Sequence, residues 1–101
     1  MVHETPTAEL ERFATGVEVE GLAVHKAAVS LDERQDGEPV TRVTLLVNDP
    51  SPGKDTWDFT AVRELKRQLA RRATALDLPS TSVTLVPDSQ AKLVESFVEH
   101  A

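Results

Sequence analysis

Three arginines at four-residue spacing are the strongest chemical signal in the sequence. Arg63, Arg67 and Arg71 lie within Asp58–Leu78, where apolar residues recur at steps of three and four, so the arginines occupy the outer face of a predicted helix. Guanidinium groups match phosphate oxygens, which makes nucleic acid one partner to consider, and an acidic protein surface is another. We favour a solvated or internally paired helix face, because no aromatic residue lies between the arginines to stack on bases.

The charge of the chain supports that preference. The formal net charge is −6, and because residues 58–78 carry +2, the rest of the chain carries −8. An acidic protein disfavours unspecific binding to nucleic acid and to anionic membranes. The sequence has no cysteine and no apolar run long enough to span a bilayer, so we expect a cytoplasmic protein without disulfides.

The possible metal ligands are scattered. His3, His25 and His100 are far apart in sequence and lack the paired spacing of zinc sites. The segment 48–58 has several oxygen donors but lacks the glycine and glutamate positions of a calcium loop, so we interpret it as a structural loop. We therefore expect no metal, while a small-ligand or ion site at loop 48–58 stays an alternative.

No catalytic group of residues can be assembled. None of the serines lies in a Gly-x-Ser-x-Gly motif, and the four glycines do not form a phosphate-binding loop or a dinucleotide fingerprint. We expect neither enzymatic activity nor a cofactor.

Trp57, the only tryptophan, allows two interpretations. It precedes Asp58, a suitable N-cap residue, and can pack against Val62 as a hydrophobic staple. Alternatively, it is an exposed anchor of the kind that dominates protein interfaces. We favour the staple.

The helix predicted at 58–78 is the element around which the others are organised. Its apolar face is formed by residues at helical spacing and needs a sheet to cover it: Val62, Leu65, Leu69, Ala73 and Leu76. Leu78-Pro79 should end the helix, because the residue before proline disfavours helical geometry.

Two alternating segments joined through Asp36-Gly37 predict a β-hairpin, with strands at about 22–32 and 40–48. The alternation changes phase between Val17 and Leu31, and we assign the change to a bulge or bend at Gly21. This assignment places Leu22, Val24, Leu46 and Val86 on a second sheet face away from the long helix.

Local signals also predict structure near both ends of the chain. Thr5-Pro6 is typical of a helix start and Gly16 of a stop, so residues 1–16 form either a short helix or a mobile arm. Residues 82–86 alternate as a short strand, and residues 88–101 have the spacing of a C-terminal helix with one apolar side, formed by Leu93, Val94, Phe97 and Val98.

Together these segments predict a single α+β domain, 1–101, with the order α-β-β-α-β-α. We expect a three-stranded, mainly antiparallel sheet in which the last strand pairs with the first hairpin strand, as in half of a ferredoxin-like fold. The long helix should pack on one face. The function we expect is a non-catalytic protein-interaction domain that self-associates through the face or edge of this sheet, with a homodimer or another protein as partner. A nucleic-acid-binding regulator is the alternative.

Overall fold

A computed structural model of the chain describes residues 5–54 and 56–93 and has a mixed α+β fold. Two helices and four strands follow one another as α1 (Pro6–Ala14), β1 (Glu18–Val19), β2 (Leu22–Glu33), β3 (Pro39–Val47), α2 (Phe59–Ala75) and β4 (Thr81–Pro87). A 3-10 helix, Asp88–Leu93, follows β4. The predicted C-terminal helix at 88–101 thus begins as a 3-10 helix, and residues 94–101 lie outside the described part of the chain.

The sheet has four strands in the order β1-β2-β3-β4. β1 and β2 are antiparallel, as are β2 and β3, whereas β3 and β4 are parallel, with Val43 opposite Val83. The predicted number of three strands and the predicted pairing of the last strand with the first hairpin strand are therefore wrong. Because α2 connects β3 to its direct neighbour, these three elements form a β-α-β unit added to an antiparallel hairpin.

Both helices contribute to one apolar core on one face of the sheet. The core residues of α2 are Ala61, Leu65, Leu69 and Ala73, and all are buried. They pack with two residues of α1 and with the inward-facing residues of the first three strands: Leu10, Ala14, Val19, Leu22, Val24, Val43, Leu45 and Val47. The helical spacing thus identified the buried side of α2 correctly, although Val62 and Leu76 are only half-buried.

The first helix begins as predicted. The Thr5 hydroxyl accepts a hydrogen bond from the Ala8 N–H at 3.2 Å, and Pro6 occupies the first helical turn. Leu10 and Ala14 are fully buried, so α1 is an integral part of the core. Its last turn leads to Gly16, whose φ of +95° lies in the left-handed region that favours glycine.

The long helix is shorter than 58–78 because a specific motif ends it early. Asp77 has a φ of +60°, and its N–H donates to the Thr74 carbonyl at 3.1 Å. The Leu78 N–H donates to the Ala73 carbonyl at 2.9 Å, which completes a Schellman motif around the C-cap Leu76. Pro79 follows the motif and is not what ends the helix.

The change of phase along the first half of the sheet has two causes. Glu20 and Gly21 form a two-residue turn between β1 and β2, and their φ values of +46° and +86° are the combination that a type I′ turn requires. A second irregularity lies between Val24 and Lys26, where His25 is the extra residue. Gly21 therefore marks the turn and His25 marks the bulge.

Because of this bulge, the prediction for the second face of the sheet is wrong for two of its four residues. Leu22 and Val24 are buried in the core beneath the helices and do not lie on the opposite face. Leu46 and Val86 do lie on that face, half-buried and buried respectively.

Candidate functional site

A cavity of about 270 Å³ lies where β3 ends and α2 begins. Its walls come from the β1–β2 turn, the loop after β3 and the first turn of α2, and they consist of Glu20, Gly21, Leu22, Asn48, Asp49, Pro50, Ser51, Lys54, Thr56, Trp57, Asp58 and Ala61. In α/β sheets, ligands commonly bind beyond the carboxyl ends of parallel strands. The cavity occupies that position for β3, at the loop that the sequence suggested as an alternative ligand site.

Asn48 holds the rim of this cavity together. Its Oδ1 accepts a hydrogen bond from the Ala23 N–H at 2.7 Å, and its Nδ2 donates to the Gly21 carbonyl at 2.9 Å. Its own N–H donates to the Ala23 carbonyl at 3.2 Å. One side chain thus joins the end of β3 to the β1–β2 turn, so the two sides of the cavity are fixed relative to each other.

Trp57 is half-buried against the core, as is Val62. The indole N–H of Trp57 donates to the Asn48 carbonyl at 2.5 Å, which fixes the ring at the cavity wall. The exposed aromatic residue at this end of the helix is Phe59, which is 77% exposed and which the sequence analysis did not single out. Of the two aromatic residues, Phe59 has the exposure that an interface anchor needs.

Two carboxylates at the cavity each bind backbone N–H groups. Asp58 is the N-cap of α2, as the sequence predicts: its Oδ1 accepts from Thr60 at 2.8 Å and from Ala61 at 3.3 Å. Asp49 Oδ1 accepts from the Ser89 N–H at 3.0 Å, which connects this loop to the 3-10 helix. Within residues 5–54 and 56–93, no group of three or more histidine or acidic side chains is arranged to hold a metal ion.

His25 is the one histidine in the described part of the chain, since His3 and His100 lie outside it. Its Nδ1 lies 2.8 Å from Asp88 Oδ2, so the bulge of β2 contacts the start of the 3-10 helix through this pair. Both side chains are substantially exposed.

Part of the positive charge on the arginine face of α2 is neutralised by a carboxylate of the same helix. Arg63, Arg67 and Arg71 are all exposed. Arg67 Nη2 and Nε donate to Glu64 at 2.7 and 2.9 Å in a forked pair. This hydrogen bond lowers the pKa of Glu64 and raises the pKa of Arg67. The guanidinium group of Arg67 is therefore already hydrogen-bonded to the Glu64 carboxylate.

The arginine face continues toward α1. The Arg72 guanidinium carbon lies 5.4 Å from the centre of the Phe13 ring, within range of a cation–π contact. Arg72 and Phe13 line a shallow groove between the helices together with Gln68, Arg71 and Ala75.

The two outer edges of the sheet differ in how far they are protected against pairing with another strand. Along β2, the Val29 N–H points outward and donates to Glu11 Oε1 of α1 at 2.7 Å. β2 also has an internal bulge and the charged residues Lys26, Asp32 and Glu33. Bulges, charges and covering elements are the usual protections against unwanted strand pairing.

The β4 edge has none of these protections among the described residues. The Thr41 N–H donates to the Ser80 carbonyl at 2.8 Å, and this parallel register turns the backbone groups of Thr81, Val83 and Leu85 away from β3. Residues 81–87 include no charged side chain and no bulge. The sequence-based expectation of association through the face or edge of the sheet did not specify this edge, because alternation along a strand does not show which strands are its neighbours.

Comparison with models of known protein families and with curated proteins gave no match to this chain. Within the described residues, no helix combines the length and the apolar character needed to cross a bilayer.

Proposed function

We propose that this protein is a cytoplasmic, non-catalytic interaction domain whose binding element is the outer edge of β4. The observation that carries the proposal is the row of outward-facing backbone groups at Thr81, Val83 and Leu85, which no described residue pairs. A strand edge of this kind adds an extended segment by main-chain hydrogen bonds, and the neighbouring side chains set the preference.

The composition of β4 suits this role. Val83 and Leu85 are half-buried apolar side chains packed against the core, so an added strand would extend the core surface. Ser82 and Thr84 are exposed on the other face and present hydroxyl groups. The Glu11–Val29 bond and the charges of β2 direct association away from the opposite edge.

An extended peptide of alternating threonine and valine, with lysines at both ends, is the probe that tests the proposal. We expect its addition, at a protein concentration at which the chain sediments as a monomer, to slow hydrogen exchange and shift the NMR amide signals of Thr81, Val83 and Leu85. The amides of Ser82 and Thr84 already bond to β3 and serve as internal controls. Unchanged signals at the three outward amides at millimolar peptide, or changes only elsewhere, would contradict the proposal.

The cavity at loop 48–58 supports a second candidate, a site for a small polar ligand. Among the described residues, its lining includes the carboxylates Glu20, Asp49 and Asp58 but only one cation, Lys54. This balance favours a neutral or positively charged compound, and Trp57 offers an aromatic surface for an ammonium group.

Trp57 fluorescence measures this binding directly, because Trp57 is the only tryptophan. Ethylammonium should change the emission more than acetate of similar size, and Asp49→Asn should weaken the response. Equal responses to both ions would contradict a cation site.

A further inference from the structure

We propose that the strand taken up by β4 is β4 of a second copy, paired antiparallel about a twofold axis at Thr84. This inference rests on the proposed function of the β4 edge and identifies its partner. The paired edges would join two four-stranded sheets into one sheet of eight strands.

Charge is the first argument for a second copy. Each chain carries −6, so most surfaces of two copies repel each other. Residues 81–87 carry no charge, and their antiparallel self-pairing brings no like charges opposite each other. Self-pairing of β2 would lack this advantage, because Asp32 and Glu33 lie on that strand and Glu11 occupies the Val29 N–H.

Register is the second argument. In an antiparallel pair, outward-facing residues must lie opposite outward-facing residues. A twofold axis at Thr84 satisfies this condition over the whole strand, since Val83 then faces Leu85 of the second copy on each side of the axis. The half-buried apolar side chains of both copies meet on the helix face, where each already packs against its own core.

The ends of the strand fit the same register. Pro87 lacks an N–H and falls at the end of the ladder, where its effect is smallest. Pro87 of the second copy then lies opposite Thr81. A groove of about 340 Å³ lies beside Thr81, formed with the end of α2 and the segment after it and lined by Ala70, Ala73, Thr74, Leu78, Pro79 and Ser80.

The absence of cysteine makes the register measurable by cross-linking. Thr84→Cys places two thiols opposite each other at a Cα separation of about 4.5 Å, within the range that a disulfide spans. Ser82→Cys is the matched control, because residue 82 is also exposed and on the same face of β4. In this register the two copies of residue 82 are about 14 Å apart, at roughly 3.4 Å per residue along the strands.

We expect Thr84→Cys to form the intermolecular disulfide under mild oxidation at least ten times faster than Ser82→Cys. Faster cross-linking of Ser82→Cys, or equal rates for the two variants, would overturn the register. Sedimentation of the unmodified chain should show a dimer that becomes stronger as salt rises from 0.05 to 0.5 M, because salt screens the repulsion between acidic copies.

A chain that sediments as a monomer at all salt concentrations would overturn the self-pairing proposal. If the threonine–valine peptide nevertheless binds the outward amides of β4, the interaction edge stands and its partner is another protein. Dimerisation that weakens as salt rises would instead indicate contact between the arginine face and an acidic surface, and would also overturn the proposal.

Discussion

Glu11 of α1 accepts a hydrogen bond from the backbone N–H of Val29 in β2, with 2.7 Å between Oε1 and N. The bond joins a helix to a strand edge 18 residues further along the chain. It satisfies a partly buried N–H group that β3 cannot reach, and it occupies a position at which a foreign strand would otherwise bind. One side chain thus contributes to stability and restricts where the sheet can associate.

Glu11→Ala should lower the free energy of unfolding by about 1–2 kcal/mol, because the Val29 N–H loses its charged acceptor. A chain of this size would lose several degrees of thermal midpoint. Glu11→Gln keeps an acceptor and should recover most of the loss. Glu9→Ala, in the same helix, is the control and should have a smaller effect. Equal destabilisation by Glu9→Ala and Glu11→Ala would show that helix charge, and not the bond to β2, explains the result.

Asn48→Ala removes the acceptor of the Ala23 N–H and the donor to the Gly21 carbonyl. Leaving a partly buried N–H unsatisfied costs about 1–3 kcal/mol, and we expect a loss of stability in this range on chemical denaturation. The indole N–H of Trp57 donates to the backbone carbonyl of Asn48. Loss of the Asn48 side-chain bonds should move this carbonyl, and the indole N–H signal should therefore shift. Asp49→Ala is the neighbouring control, because it removes one bond to the exposed Ser89 N–H. An unmoved indole signal in Asn48→Ala would mean that this side chain does not hold the cavity rim.

Local signals in the sequence predicted most elements of this fold. The Thr5-Pro6 start, the Asp58 cap, the buried side of α2 and the hairpin of β2 and β3 depend on residues close together in the chain. Capping bonds and helical or alternating spacing involve only such neighbours, so the sequence alone is sufficient for them.

The neighbouring strand of β4 could not be predicted from such local signals. Alternation along residues 81–87 shows that they form a strand but does not show which neighbour they join, because both choices bury the same side chains. The bulge at His25 left a signal in the phase change between Val24 and Ala27, but Gly21 was the more conspicuous residue. The cavity depends on Asn48, which reaches across to Gly21 and Ala23, and no local pattern indicates such contacts.

Replacing Arg63, Arg67 and Arg71 together by alanine tests whether this face binds a polyanion. The three side chains are exposed, and within the described part of the chain Arg67 bonds to Glu64 of its own helix, so the thermal midpoint should change little. We expect neither the native chain nor the variant to bind mixed-sequence DNA or RNA in 50 mM salt. Salt-sensitive binding by the native chain that the triple variant loses would instead support the nucleic-acid alternative.

The pKa of Asp32 is lowered by a hydrogen bond from the Glu33 N–H and by the adjacent Arg42. A carboxyl with a lower pKa in the folded state stabilises the protein above its unfolded pKa, and this contribution is lost as pH falls through the folded pKa. Stability should therefore decrease below about pH 4, the ordinary range for aspartate.

Arg42→Gln removes one of the two causes, so the pKa of Asp32 should rise but stay below its ordinary value while the Glu33 N–H still donates. The same carboxyl should then lose less stabilisation between pH 5 and pH 2, because its folded and unfolded pKa values lie closer together. Arg34→Gln makes an equal change in charge near the same end of the hairpin without touching the Asp32–Arg42 pair. An NMR titration of the Asp32 side-chain carboxyl carbon gives the result, and equal shifts in both variants would show that general charge, rather than this ion pair, lowers the pKa of Asp32.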